Sequence, residues 1–217
     1  RKNWSITPRI RWGITNQHVN PSLDLGYTFG KKYVQSLTLS GGRKVFQFNN
    51  ADPISERINS LYTLYSQENF MKIYEADYLK LGYSTGIGSG LNVSANFQFQ
   101  NRLPLANLPD VVYWGKDKGR AITPNYPSDI TNVAMVSNKA SLLTIGISWR
   151  PGSKYIEFPD RKVAIGSRYP TLSASLTQGI NGLLGSSSDF TKWRFSVTDE
   201  MNLKLFGRIN YRFNMGG

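Results

Sequence analysis

Apolar and polar residues alternate along much of this chain, most clearly between Met201 and Met215. Every odd position of that segment is apolar or glycine, and every even position except Phe206 is polar or charged. Successive side chains of a β-strand point to opposite faces, so the pattern predicts one long strand with an apolar and a polar face. A strand of a soluble sheet usually has about five or six residues, whereas a strand that crosses a bilayer needs about nine to eleven. The length therefore favours a membrane-crossing strand.

The same alternation recurs in eight further segments, so the chain is predicted to contain about nine strands. These segments are Trp4–Ile14, Val19–Phe29, Tyr33–Gly41, Leu79–Thr85, Leu91–Phe99, Leu143–Trp149, Pro170–Leu176 and Trp193–Val197. Repeated segments of about ten residues with a period of two are typical of transmembrane β-barrels. Tryptophan and tyrosine on the apolar positions fit the aromatic belts of such barrels, and a soluble β-sandwich with an aromatic core is the alternative. The predicted fold class is all-β, an antiparallel transmembrane β-barrel that occupies residues 1–217 as one partial domain.

The lengths of the connections predict how the strands are oriented. Three connections are long, and all three fall on one side if the strands run up and down in order: Gly42–Ala76, Asn101–Ala140 and Gln178–Thr191. Outer-membrane barrels have short periplasmic turns and longer external loops, so this side is expected to face outward. Pro151–Tyr169 is long but falls on the other side. It is expected to be either a structured periplasmic turn or a place where the strand count is wrong.

Two local features are expected at the long-connection side of the third strand. The spacing of Ile58, Leu61, Tyr62 and Tyr65 predicts a short helix over the barrel mouth, with a loop that buries its aromatic residues as the alternative. A β-bulge at Gly41-Gly42-Arg43 is expected to move the following phenylalanines to the opposite face.

The alternation also predicts the register of the first and last hairpins. A four-residue loop at Thr15–His18 would place Arg9 directly opposite Asp24. A loop at Thr198–Glu200 would place Arg194 opposite Lys204, where two like charges repel each other.

The chain is strongly basic, with a net charge of +12 and a sequence pI of about 9.9. Many basic residues fall on the polar positions of predicted strands, with Asp24 as their one acidic partner: Arg9, Arg11, Lys80, Arg150, Lys192, Arg194, Lys204, Arg208 and Arg212. In a barrel these residues would face the lumen, so no nucleic-acid partner is expected. They would either attract anions or pair with acidic residues on strands or loops that lie outside this chain.

No catalytic residue, metal site or cofactor is predicted, and we expect a protein that is not an enzyme. The chain has no cysteine, and its only histidine, His18, lies in a short turn where a solvated role is expected. The sequence has no run of about eighteen apolar residues, which excludes a transmembrane helix but leaves a barrel open.

Several stretches resemble an uncharacterised Bacteroidota outer-membrane family that carries an N-terminal carboxypeptidase-regulatory-like domain. They are Ser40–Asn49 followed by Asp52–Ser55, Ile165–Leu172, Gly179–Ser186 and Thr198–Arg208. The barrel of that family looks like that of the outer-membrane assembly and surface-antigen superfamily. The resemblance implies that the chain is an interior section of a barrel of about sixteen strands in the bacterial outer membrane. It further implies the handling of proteins or lipids there, with outer-membrane lipid and other envelope proteins as partners.

Four functions are therefore open. The first is an outer-membrane barrel that acts in protein or lipid assembly or export, and the second is a channel whose basic lumen favours anions. The third is a soluble β-sandwich that binds acidic ligands. The fourth is a surface adhesin that acts through long loops such as Asn101–Ala140.

Overall fold

The computed structural model describes residues 3–13, 17–31, 33–49, 53–106, 122–128, 133–158, 162–203, 205 and 207–217. The described strands are β1 (Asn3–Trp12), β2 (Val19–Phe29), β3 (Gln35–Gln47), β4 (Ile73–Gly88), β5 (Leu91–Pro104), β6 (Asn138–Trp149), β7 (Lys154–Glu157), β8 (Lys162–Gly166), β9 (Thr171–Gly179), β10 (Phe190–Asn202) and β11 (Arg208–Gly216). Helix α1 spans Glu56–Ser66, and a 3₁₀ turn spans Leu183–Gly185. No helix of the described residues is long and apolar enough to cross a membrane.

Nine of these strands form one antiparallel sheet in the order β1-β2-β3-β4-β5-β6-β9-β10-β11. Each corresponds to one of the nine predicted strands, so the all-β antiparallel class is confirmed. Among the described residues β1 and β11 are the two outermost strands, and the sheet is open rather than closed on itself.

The order of the strands places the three long connections at one end of the strands, as predicted. We call this end of the sheet the long-loop edge, and we call the opposite end the short-turn edge. The long segment between β6 and β9 lies at the short-turn edge, where β7 and β8 pair with each other as a separate hairpin. The expectation of a structured turn there is confirmed, and two short strands are added outside the nine-stranded sheet.

The last hairpin differs from the prediction because its turn lies further along the chain. Strand β10 continues to Asn202, and the Leu203 amide donates to the Gly207 carbonyl oxygen over 2.8 Å. Because this turn has an odd number of residues, apolar Met201 faces apolar Ile209 and the alternation continues through the turn unbroken. The loop predicted at Thr198–Glu200 is therefore wrong. Arg194 faces Gly216 instead of Lys204, and Lys204 lies outside the described residues.

The first hairpin is shifted by two residues from the predicted register. Trp12 faces Val19, and Arg9 faces Ser22 rather than Asp24, so the directly opposed pair was predicted wrongly. The guanidinium of Arg9 nevertheless donates a hydrogen bond to the Asp24 carboxylate across the diagonal. Diagonal neighbours on one sheet face are within reach of long side chains, which explains why the contact survives the shift.

Helix α1 is confirmed, but its orientation is the reverse of that expected for an amphipathic helix. The apolar residues Ile58, Leu61, Tyr62 and Tyr65 are exposed, whereas Asn59 is buried. The helix ends at Gln67, which has left-handed backbone angles and donates its amide to the Thr63 carbonyl oxygen.

The bulge predicted at Gly41-Gly42-Arg43 is wrong. Pairing between β3 and β4 runs without interruption from Gln35 to Gln47, so Phe46 stays on the same face as Ser40. Gly42 instead marks the point where pairing of β3 with β2 ends. Its φ of +132° and its close approach to β2 explain why glycine occupies this position.

We predict that Gly42→Ala destabilises the domain, whereas Gly41→Ala changes its stability little. A Cβ atom at Gly42 would overlap the Pro21 carbonyl oxygen and lie 2.6 Å from Ser22 Cα. At Gly41 a Cβ atom would meet its nearest atoms at 3.4 Å, an ordinary contact. The expected loss for Gly42→Ala is about 1–3 kcal/mol, measured by urea unfolding of the purified full-length protein. Equal stability of the two variants would contradict this account of Gly42.

Candidate functional site

The register of the nine strands divides the sheet into an apolar and a polar face. Residues that oppose each other in neighbouring strands share a face. One row that crosses six strands is entirely apolar: Ile6, Leu25, Leu39, Leu81, Phe97 and Leu143. The adjacent row, one residue nearer the long-loop edge on each strand, lies on the polar face and contains Thr7, Asp24, Ser40, Lys80, Gln98 and Leu142.

The middle of the polar face is covered by short hydroxyl side chains and glycine. Neighbouring strands are joined there by hydroxyl contacts, Ser36 to Ser84 and Thr144 to Thr177, both at 2.9 Å. The small side chains leave a shallow pocket of about 240 Å³, lined by residues that include Ser94, Ser148, Ser175, Ser196 and Arg194. This part of the face offers many donors and acceptors but little bulk.

The predicted basic residues on strands lie towards the two sides of this hydroxyl-covered region. On the β1 side, Arg9 pairs with Asp24 and Arg11 faces Asn20, while Lys80 lies further in, between Ser40 and Gln98.

On the β10–β11 side, Lys192 faces Thr177, and Arg194 faces Ser175. Arg212 faces Thr198. Arg208 forms an ion pair with Glu200, with Nη1 at 3.2 Å from Oε1. In the described part of the chain, five of the predicted basic residues have no carboxylate at salt-bridge distance: Arg11, Lys80, Lys192, Arg194 and Arg212. Their role as lumen residues stays a prediction because the described sheet is open.

Arg150 is placed differently, since it follows the end of β6 at the short-turn edge. Its guanidinium donates to the carbonyl oxygens of Ser167 and Tyr169, each over 3.3 Å, and lies 3.6 Å from the Asp199 carboxylate. Arg150 therefore joins the connection between β6 and β9 to strand β10.

The long-loop end of the polar face is packed with aromatic side chains. Phe46 stacks on Tyr74 at 5.8 Å and meets the edge of Tyr78 at 5.4 Å between ring centroids. The Arg102 guanidinium lies over the Tyr74 ring at 5.3 Å and donates to the Gln100 side-chain oxygen over 2.8 Å. Tyr74 and Gln100 are almost completely buried, so this end of the face forms a small core. This core was not predicted, because the predicted strands end before Tyr74 and Gln100.

Helix α1 and the segments at 67–72 and 122–128 form a cap beside this core, and side-chain amides hold the cap together. The Asn59 side-chain oxygen accepts from the Phe70 and Met71 amides at 2.9 and 2.8 Å, and its Nδ2 donates to Asn69 over 2.9 Å. Asn69 in turn donates to Asn125 over 2.6 Å, which joins α1 to the segment at 122–128. The cap encloses a mainly apolar cavity of about 570 Å³ lined by residues that include Phe48, Ile54, Phe70, Lys72 and Pro127.

His18 has a partner that its position in a turn does not reveal. Its Nδ1 lies 3.2 Å from a carboxylate oxygen of Glu75, which is 2% exposed. Asn20 Nδ2 donates to the same carboxylate over 2.6 Å. The expectation of a merely solvated histidine is therefore corrected: His18 and Asn20 both contact the buried Glu75 carboxylate. The contact joins residues 57 positions apart, so no local signal could have predicted it.

A row of polar residues ends the apolar face at the long-loop edge. Arg43, Asp77, Asn101 and Lys139 oppose one another across four strands, on the face that carries Leu79. Arg43 and Asp77 form a two-point ion pair, with nitrogen–oxygen distances of 2.6 and 2.9 Å. We call these four residues the boundary row.

We predict that Asn59→Ala loosens the cap and leaves the sheet folded. The substitution removes the shared acceptor of the part-buried Phe70 and Met71 amides, at a cost of about 1 kcal/mol for each lost hydrogen bond. Limited trypsin digestion should then cut faster within the cap, and far-UV circular dichroism should keep its β signal. Ser60→Ala is the matched control, because the Ser60 hydroxyl is exposed and bonds only within the helix. Equal digestion of both variants would contradict the proposed role of Asn59.

Comparison with known proteins gives one match. No curated protein and no solved structure matches the chain. All of residues 1–217 match the model described as "Family of unknown function (DUF5686) C-terminal domain", a description that names neither a fold nor an activity. The expected membership of an uncharacterised family is confirmed: the chain belongs to the DUF5686 family and corresponds to its C-terminal domain.

Proposed function

We propose that this domain is a section of an outer-membrane β-barrel that acts in the assembly or export of proteins or lipids. Its apolar face contacts the lipid of the bacterial outer membrane, and its polar face lines the interior. The long-loop edge faces outward, and the short-turn edge faces the periplasm.

The observation that carries this proposal is the large exposed apolar face. Leu39, at its centre, is 42% exposed, and the whole row to which it belongs is apolar across six strands. Soluble monomers rarely expose a contiguous apolar patch larger than a few hundred Å². Backbone groups inside a bilayer must all be paired, and the interior strands of this sheet meet that requirement. Lipid is therefore the environment that best fits both features.

The height of the apolar face also fits an outer membrane. On β4 it extends from Leu79 to Ile87, about 26 Å along the strand at about 3.3 Å per residue. A tilt of about 40° reduces this to about 20 Å, close to the apolar band of about 25 Å in such barrels. The boundary row ends the band on one side. Trp4 and Tyr27, with ring centroids 4.5 Å apart, lie near the other side, where an aromatic belt is expected.

The packed long-loop end favours assembly or export over a permanently open pore. The core around Tyr74 and Gln100 and the cap held by Asn59 fill the polar face at its outward end with ordered side chains. An interior that is obstructed at one end does not suit the steady flow of small ions. It suits a barrel that handles larger molecules through conformational change.

An anion-favouring channel is the second candidate, and the basic residues of β10 and β11 favour it. Within the described residues Lys192, Arg194 and Arg212 have no carboxylate at salt-bridge distance, so their charges are available to attract anions.

We predict that Leu39→Lys strongly impairs insertion and stability in a bilayer, whereas Ser40→Lys does not. The two positions are adjacent on β3 and lie on opposite faces. A lysine on the lipid face near the membrane midplane costs about 2–4 kcal/mol. The measurement is folding of the full-length protein into phosphatidylcholine vesicles, followed by heat-modified mobility in gels and by urea titration. If Leu39→Lys folds as well as Ser40→Lys, the apolar face does not meet lipid and the membrane location is wrong.

We further predict that the full-length protein is electrically silent in planar bilayers. Its depletion from the bacterium should lower the amounts of other outer-membrane proteins or lipids. Steady anion-selective conductance that falls in a Lys192→Gln, Arg194→Gln double variant would support the channel instead. A Lys154→Gln, Arg168→Gln double variant, at two exposed basic residues outside the nine-stranded sheet, is the charge-matched control. Silence together with an unchanged outer-membrane composition after depletion would contradict both functions.

A further inference from the structure

The connection between β9 and β10, residues 180–189, is folded onto the apolar side of the sheet at the long-loop edge. It covers Ser141, which faces Phe99 on the apolar face and is fully buried. The Ser141 hydroxyl donates to the Leu183 carbonyl oxygen over 2.9 Å, and its amide donates to Ser186 Oγ over 3.0 Å. The Ser187 backbone amide donates a hydrogen bond of 3.0 Å to the Lys139 carbonyl oxygen. The loop is therefore fixed to the start of β6 at several points.

This fixed loop holds two adjacent leucines outward. Leu183 is 41% exposed and Leu184 is 58% exposed. Leu184 also has left-handed backbone angles, φ 54° and ψ 26°, which cost a residue other than glycine about 1–2 kcal/mol. Glycine would fit this conformation without that cost, as it does at the neighbouring Gly185. More than half of the Leu184 side chain is nevertheless exposed, and an apolar partner outside the chain would account for a leucine at this position.

A cation lies beside the two leucines. Lys139 is exposed and ends the boundary row, and a Cβ atom at Gly185 would be 3.9 Å from its Nζ. In the same row the Arg43 charge is neutralised by Asp77, whereas Lys139 has no carboxylate at salt-bridge distance among the described residues. The only uncompensated charge of this described row therefore lies next to the exposed leucines.

We propose that Lys139, Leu183 and Leu184 form a binding site for a phosphorylated lipid of the outer leaflet. The inference rests on the proposed membrane location, which places the boundary row at the outward limit of the apolar band. The lysine ammonium binds a head-group phosphate, and the leucines contact the upper part of the acyl chains. Such a lipid supplies an anion for the Lys139 ammonium and hydrocarbon for the leucine side chains, which continue the apolar face.

The test is retention of phosphorylated lipid by the full-length protein in nanodiscs of phosphatidylcholine. The probes are lipid A carrying its phosphates and the same lipid after phosphate removal, with binding followed by native mass spectrometry. Lys139→Gln should weaken binding of the phosphorylated form about fivefold and leave the dephosphorylated form unaffected. Leu184→Gly should weaken both forms about tenfold while the loop stays folded, because glycine accepts the local φ.

Matched controls come from the short-turn edge. Lys154→Gln removes an exposed lysine, and Leu205→Gly removes a leucine that is 99% exposed. Neither should change lipid retention. The inference is overturned if the wild-type protein inserts into the bilayer but Lys139→Gln and Leu184→Gly retain both lipids as well as the controls do. If Leu39→Lys and Ser40→Lys insert equally well, the membrane location itself fails, and the lipid site fails with it.

Discussion

Continuous backbone pairing across nine antiparallel strands is the constraint on which the rest of this structure depends. Because neighbouring strands keep their register, apart from a shift between Gly86 and Gly88 at the end of β4, their side chains are assigned to one of two faces. The apolar row through Leu39 and the polar row through Ser40 are direct results of that pairing. The exposed apolar face, the hydroxyl-covered middle of the polar face and the boundary row all follow from the same assignment.

The nine strands of the main sheet, their order and their two faces could be predicted from the sequence because a period of two is a local signal, whereas β7 and β8 were not predicted as strands. The hairpin registers could not, because the alternation does not reveal where a turn begins and ends: Trp12 faces Val19 and Met201 faces Ile209, and both turns differ from those predicted. The orientation of α1 was also beyond the sequence. Its spacing suggests a buried apolar stripe, but the amide contacts of Asn59 bury the polar side instead.

The candidate functional residues likewise divide into those that could be predicted from the sequence and those that could not. Arg9 and Asp24 could be matched because they lie in one hairpin, and a long side chain tolerates a shift of two residues. Glu75 and its partner His18 come from distant parts of the chain and carry no shared pattern. Tyr74, Gln100 and Arg102 occupy polar-face positions at the ends of unusually long strands, so only the full length of β4 and β5 brings them together.

The turn at Leu203–Gly207 has five residues, and this odd length limits how this part of the chain can change during evolution. Loss or gain of a single residue there would exchange the two faces of β11, placing Arg212 among apolar neighbours and Phe213 among polar ones. Only changes of two residues preserve the arrangement. The length of this turn should therefore differ between homologous chains by an even number of residues. The connections at the opposite edge are not limited in this way wherever they are long enough to realign the next strand.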